Sequence, residues 1–370
     1  MSLSFPASSS PFTRAVVSSM RKLYPESLAD KSFDNTGLLL EAPFNPQRRR
    51  KNSVLLAIDL TKAVADEAID RGDSVVVAYH PIIFRGLKSL TLNDPQQQSL
   101  LRLAQEGISV YSPHTAVDSV PGGMTDWLCD VVTGAIVSSS PGTTPPSIEK
   151  SSSHNYSHPV YPQSQRSVSP ATALPHVRST IHPSPPPVPE GFESAGAGRL
   201  VTFSTPQPLA AIIDRVAQGV GNPAGIPVAL PQSASLDTMQ IRTVGICPGS
   251  GSSVILSRDR GNIPDLVFTG ELSHHDALAV IERGSAVIAL SHSNTERGYL
   301  HAVMRQKLAD SLKGEWEAAR KAGLEALGEN AKQGGAGTAS GVEDALRDDT
   351  VVVDVSERDR DPYGIIVRQS

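Results

Sequence analysis

Cysteine is scarce in this chain. Only Cys129 and Cys247 occur in 370 residues, which excludes a disulfide framework and points to a reducing compartment. Long apolar runs are missing as well: none approaches the roughly 20 residues that span a bilayer, so no membrane segment is expected. Positive charge is not in excess. A net charge of −5 leaves no basic footprint for direct nucleic-acid binding. What is present is a chain with 39% hydrophobic residues, long enough to build two domains. The first 25 residues lack acidic side chains, are rich in serine and carry Arg14, Arg21 and Lys22. That composition suits a mitochondrial transit peptide. The same stretch also reads as an amphipathic helix over Pro11–Tyr24, with Phe12, Val16, Met20 and Leu23 near one face. A cytoplasmic location is therefore expected, with the mitochondrion as the alternative.

Composition divides the chain into a first α/β block over 1–135, a Ser/Pro-rich insertion over 136–195, a second block over 196–328, a flexible linker over 329–348 and a C-terminal strand within 349–370. In the first block the pattern alternates: strand Val54–Ile58, helix Thr61–Arg71, strand Ser74–Ala78, helix Pro95–Glu106, strand Ile108–Tyr111, helix Gly123–Val132. A βαβαβ succession implies a mostly parallel sheet with helices on both faces. The stretch Ser138–Glu190, with its repeated Ser and Pro, cannot bury enough apolar surface to order itself and reads as disordered. Alternation resumes at Leu200–Phe203 and continues through strands Arg242–Ile246, Asp265–Phe268 and Ala286–Leu290 to a long helix from Asn294. Gly334–Gly341 reads as linker and Val351–Ser356 as a last strand on a sheet edge. The expected fold class is α/β: two related three-layer domains whose mostly parallel sheets face a shared metal-binding crevice.

Chemistry gathers where strands end. Tyr79-His80-Pro81 follows Val75–Val77, His114 to Asp118 follows Ile108–Tyr111, and His292-Ser-Asn-Thr-Glu296 follows Ala286–Leu290. In an open α/β sheet the carboxyl ends of the strands form the rim at which ligands bind. Histidine with carboxylate suits a divalent transition metal such as Zn, Fe, Mn or Ni. His292 and Glu296 stand four apart, one helical turn, where they can share an ion or form a plain solvated pair. Gly249-Ser250-Gly251 opens a helix and could cradle an anion, or serve only as a tight turn. Thr269 to Asp276 is dense in polar groups; Ser273 is a good N-cap, and of the adjacent His274 and His275 at most one should face the crevice. The four histidines His154, His158, His176 and His182 of the Ser/Pro stretch read as solvent-exposed bystanders.

At these residues the sequence resembles the NIF three-like family, also called YbgI-like or GTP cyclohydrolase type 2-like. The resemblance rests on Ser32-Phe-Asp-Asn-Thr-Gly-Leu38, Tyr79-His-Pro-Ile-Ile-Phe84, Pro113-His-Thr-Ala-Val-Asp118, Thr269-Gly-Glu-Leu-Ser-His-His275 and His292-Ser-Asn-Thr-Glu296, in the family's order. Ser273-His274-His275-Asp276 and Asp359-Arg360-Asp361-Pro362 look like its eukaryotic branch. The resemblance implies paired α/β domains, a dinuclear metal centre and a homohexamer. It carries the metal ligands onto His80, Asp118, His292 and Glu296, with one or two ions per subunit. Many bacterial members have two consecutive histidines where this chain has Tyr79-His80, which leaves one ion short of a nitrogen ligand. Tyr79, His114, Glu271 and His274 are the candidates for additional or supporting ligands. Two functions follow: a metal-dependent hydrolase of a nucleotide or related small molecule, or a non-catalytic metal-binding ring that engages transcriptional or other regulatory partners.

Overall fold

The computed structural model describes residues 9–46, 48, 50–137, 149–150, 154–157, 167–168, 173–257, 263–332 and 340–368. The fold is mixed α/β, with two main sheets and helices packed around them. The chain divides into two compact units, Met1–Ala116 with Met304–Asp359, and Val117–Val303 with Arg360–Ser370. No helix among the described residues is long and apolar enough to cross a membrane.

The first unit holds a five-stranded sheet in the order Gly37–Leu40, Ser109–Ser112, Val75–Ala78, Ser53–Ala57, Val352–Val355. All neighbours run parallel except the first pair. The three central strands are buried throughout, as expected where helices cover both faces. Helix Lys62–Arg71 starts on the Thr61 side chain, and helix Pro95–Glu106 starts on Asp94, whose carboxylate accepts the amides of Gln96 and Gln97 at 2.9 Å. Their apolar stripes meet the sheet in a core of Leu55, Val64, Val76, Leu103 and Val110. Helix Pro11–Leu23 packs Phe12 edge-on against Trp316 of helix Arg305–Lys332, with ring centroids 5.4 Å apart. The parallel register sets Ala57 beside Ala78 and Val77 beside Tyr111, so these strands finish together and deliver Asp59, His80 and His114 to one rim.

The second unit is built on six strands in the order Val228–Ala229, Ala286–Ala289, Leu266–Glu271, Gln240–Ser250, Gly196–Pro208, His176–Pro183. Only its three strands Gln240–Ser250, Leu266–Glu271 and Ala286–Ala289 are mutually parallel. The remaining pairings are antiparallel, so this sheet is mixed where a mostly parallel one is expected. One of the three antiparallel pairings comes from the strand His176–Pro183. It lies inside the segment read from composition as disordered to Glu190, yet pairs with Gly196–Pro208 over seven partners. Ile181 is buried in that strand, which gives it an anchoring face. Further into the insertion, His154–Ser157 pairs with both Glu149–Lys150 and Ile365–Arg368, and Ser167–Val168 pairs with Ile136–Val137. Residues 138–148, 151–153, 158–166 and 169–172 of the insertion, His158 among them, lie outside the described residues, as does most of the Gly-rich linker. That linker ends sooner than expected, because Ser340–Arg347 is a helix that buries Ala345 and Leu346.

Candidate functional site

In the second unit the strand Ala286–Ala289 leads into Ser291, held at φ +70°. The chain then forms a 3-10 turn over His292–Thr295 instead of the α-helix expected from Asn294. This turn brings His292 Nε2 to 3.7 Å from Oε1 of Glu296, whose side chain is almost wholly buried. On the other side of the ring, His292 Nδ1 lies 3.0 Å from Oε1 of Glu271, the last residue of strand Leu266–Glu271. An ionised carboxylate only accepts, so in the neutral imidazole this bond puts the proton on Nδ1 and leaves Nε2 as the lone-pair nitrogen. This is the carboxylate–histidine arrangement that orients an imidazole toward a metal.

Gly249 keeps the space in front of these groups. It sits at φ +60°, and a Cβ there would lie 2.9 Å from Glu296 Oε1 and 3.0 Å from His292 Nε2. Thr295 fixes the geometry by accepting the Gly249 amide at 2.9 Å while donating to the His292 carbonyl at 2.8 Å. Ser293 is held by its hydroxyl bond to Asp361 at 2.5 Å and accepts from Arg297 Nε at 3.0 Å. Asp118 lies on the short helix Thr115–Ser119. Burial pushes the Cys247 thiol up, and the charges of Asp118 and Glu296 add to it. An imidazole nitrogen and a buried carboxylate facing a space that a methyl group would fill suit a divalent transition metal.

The first unit carries its own histidine cluster. Tyr79 and His80 extend the sheet through amide bonds to the Ala57 and Ile58 carbonyls, at 2.8 and 2.9 Å. His80 Nδ1 lies 2.9 Å from Asp59 Oδ1. Asp359 holds that loop from behind, accepting the Ile58 amide at 2.6 Å. His114, at φ +33°, bonds through Nδ1 to Asp34 Oδ1 at 2.7 Å. Burial raises the Asp34 carboxyl, but the hydrogen bond and charge of His114, helped by Thr115, outweigh it and hold the group below its usual range. The buried ring of Tyr79 packs 4.9 Å from the His80 ring and 5.3 Å from that of His114, and the two imidazoles are 5.5 Å apart. Both histidines thus have Nδ1 occupied by a carboxylate, as His292 does.

Other expected site residues are placed differently. His274 is exposed at the start of helix His274–Ile281 and stacks edge-on with His275 at 5.4 Å. In the Gly249–Gly251 loop, beside His292, the amides of Gly249 and Gly251 are taken by the hydroxyls of Thr295 and Thr269, and the helix it opens, Ser252–Ile255, is a single turn, which favours the tight-turn reading over an anion cradle. His176 and His182 are not bystanders in a disordered stretch but strand residues whose rings bond the carbonyls of Leu174 and Val254. Asp34 and Asp59, absent from the sequence-based candidates, turn out to brace two of the three histidines. The only signal for Asp34 is its place in Ser32–Leu38, and Asp59 has none beyond following a strand.

The sequence pattern of the family described as Duf34/NIF3 (NGG1p interacting factor 3) matches residues 13–321. "Protein NIF3 homolog" of Schizosaccharomyces pombe is 44% identical over 294 residues, covering 79% of this chain and 87% of that protein. "NGG1-interacting factor 3" of Saccharomyces cerevisiae is 36% identical over 302 residues, covering 80% and 90%. Among solved structures, a Bacillus cereus protein related to NIF3 superposes with a TM-score of 0.59 at 19% identity, over 95% of this chain and 98% of that one, a likeness of fold.

Proposed function

This chain belongs to the Duf34/NIF3 (NGG1p interacting factor 3) family, and from that membership and its carboxylate-braced histidines we propose a metal-binding protein that hydrolyses a nucleotide or related small molecule. The proposed ligands are His292, Glu296, Asp118 and His80, holding one or two divalent transition-metal ions per subunit. Tyr79 and His114 stand beside His80. The observation that carries the proposal is the His292 brace, with Glu271 on Nδ1, Glu296 facing Nε2 and Gly249 leaving the space open. When bound, such an ion supplies Lewis-acid activation of water at neutral pH. The chain's own groups set the ligand geometry: Glu271 and Asp59 fix the tautomer and tilt of the imidazoles, and Thr295 locks the loop that faces them. Elemental analysis of the purified protein tests this, together with turnover across a nucleotide panel. Metal at one or two ions per subunit that is lost in His292→Ala and Glu296→Gln supports the reading, and a metal-free protein after growth in metal-replete medium overturns it.

A second reading is a non-catalytic metal-binding ring that engages regulatory proteins. It is favoured by the name of the budding-yeast relative, an NGG1-interacting factor, and by Tyr79 at a position where many bacterial members of the family have histidine. Bound metal without turnover, in an assembly of hexameric mass by sedimentation, decides for this alternative. A cytoplasmic location is proposed on the two buried free thiols, and cell fractionation tests it against the mitochondrion.

A further inference from the structure

We infer that Phe33 and Phe84 form a seat for a flat conjugated ring of the ligand handled at the His80–His114 cluster, an inference that rests on the small-molecule reading above. Most large aromatic side chains of this unit, among them Phe12, Tyr24, Tyr111 and Trp316, are buried, yet Phe33 is 51% and Phe84 46% exposed. The two rings are neighbours, with centroids 6.2 Å apart and planes tilted by 43°. Each also stands nearly perpendicular to the His114 imidazole, with centroids 6.4 Å away. Two half-exposed phenyl rings and a histidine therefore line one polar-based wedge.

Exposure here does not come from a loose loop. The Asn35 side chain donates to the Ile83 carbonyl and ties the Phe33 segment to the Phe84 segment. Asp34, between Phe33 and Asn35, is bonded to His114 and Thr115, and its amide donates to Asp30 at 3.0 Å. Apolar rings held out in water on a pinned backbone are what a ligand contact needs, because their desolvation is deferred until the ligand arrives and no ordering is left to do then. Paired rings tilted against each other accept a third ring offset against one and edge-on to the other, which aliphatic groups exploit less well. Arg85, exposed and next to Phe84 in sequence, carries a positive charge on the same segment.

The test uses the full chain and the fluorescent probe 1,N6-ethenoadenosine monophosphate, titrated into wild type, Phe33→Ala, Phe84→Ala, the double variant and Phe84→Tyr, with ribose 5-phosphate as the ringless control. Base-on-aromatic stacking of ordinary strength predicts that the double alanine variant binds the probe about tenfold or more weakly, with melting temperature and metal content unchanged. The Tyr variant should stay within about threefold of wild type, since it keeps the ring. The inference is overturned by equal affinity in all variants, by no measurable probe binding to wild type, by equal binding of the ringless control, or by a loss of sedimentation mass in the double variant, which would show that the rings are buried against a second copy. Metal content is read on the same samples. Ring-dependent binding to a metal-free protein would sink the metal reading and leave the seat standing.

Discussion

Glu271 and His292 are joined by a 3.0 Å hydrogen bond between Oε1 and Nδ1, across 21 residues of sequence and two neighbouring parallel strands. The bond commits the imidazole to one tautomer. If that tautomer serves metal binding, Glu271→Gln should weaken metal affinity by about 10–100-fold, the range for losing such a support, while leaving the melting temperature within about a degree or two. Competition titration with a chelating indicator measures it. An unchanged affinity would reduce Glu271 to a surface contact.

Tyr79 offers a gain-of-ligand experiment. Its ring packs against both His80 and His114, so a histidine in its place would add a nitrogen beside two others. Tyr79→His is expected to raise the metal-to-protein ratio toward two. The alternative is that Tyr79 only fills space at the strand end. The substitution would then lower stability with the ratio unchanged.

Both thiols should be inert in the native state. Burial pushes Cys129 up to about 12, and burial together with Asp118 and Glu296 pushes Cys247 up as well. The thiolate is the reactive form, so neither should react with an aromatic disulfide reagent at pH 8 until denaturant is added. A linkage follows in the alkaline direction. An unfolded thiol ionises near pH 8.5 whereas the buried one does not, so the stabilisation is complete below that pH and is lost as pH rises toward 12. Denaturant midpoints at pH 8 and pH 10 should fall in that order, and less so in Cys129→Ala.

Arg199 anchors the second unit. It is 3% exposed and donates to both Asp126 oxygens and to the carbonyls of Gly196, Gly198 and Ser119. Arg199→Ala removes both of its bonds to Asp126, which keeps Arg178 at 3.1 Å and the Gly122 amide at 2.9 Å, and leaves three buried carbonyls without this donor, so it should cost about 1.5–3 kcal/mol in chemical denaturation. Arg199→Lys should recover little, because a single ammonium cannot reproduce the planar fork.

Helix Pro95–Glu106 could be read to the residue because Asp94 before it and Gly107 after it, at φ +77°, are local signals of helix start and stop. The rim positions of His80 and His292 were equally legible, since each follows a short buried run. The 3-10 turn at His292 was not, because nothing local announces the φ +70° of Ser291. Strand His176–Pro183 was hidden for a different reason. Its partner supplies what its Ser/Pro-rich surroundings lack, and composition reports only on the surroundings. Of the carboxylates that brace the histidines, Glu271 was among the sequence candidates, whereas Asp34 and Asp59 belong to tertiary structure alone: Asp34 meets His114 from 80 residues away.

The pairing of Val352–Val355 with Ser53–Ala57 places the closing strand of the first sheet almost a whole chain after its neighbour. During synthesis, the second unit is nearly complete once residue 303 has emerged, whereas the buried strand Ser53–Ala57 still shows an open hydrogen-bonding edge. An uncovered apolar edge invites pairing with other chains. The sheet that carries His80 is therefore the slower to mature and the one most dependent on chaperone cover at the ribosome. Yield on overexpression should track how quickly the last strand arrives, more than how stable the finished protein is.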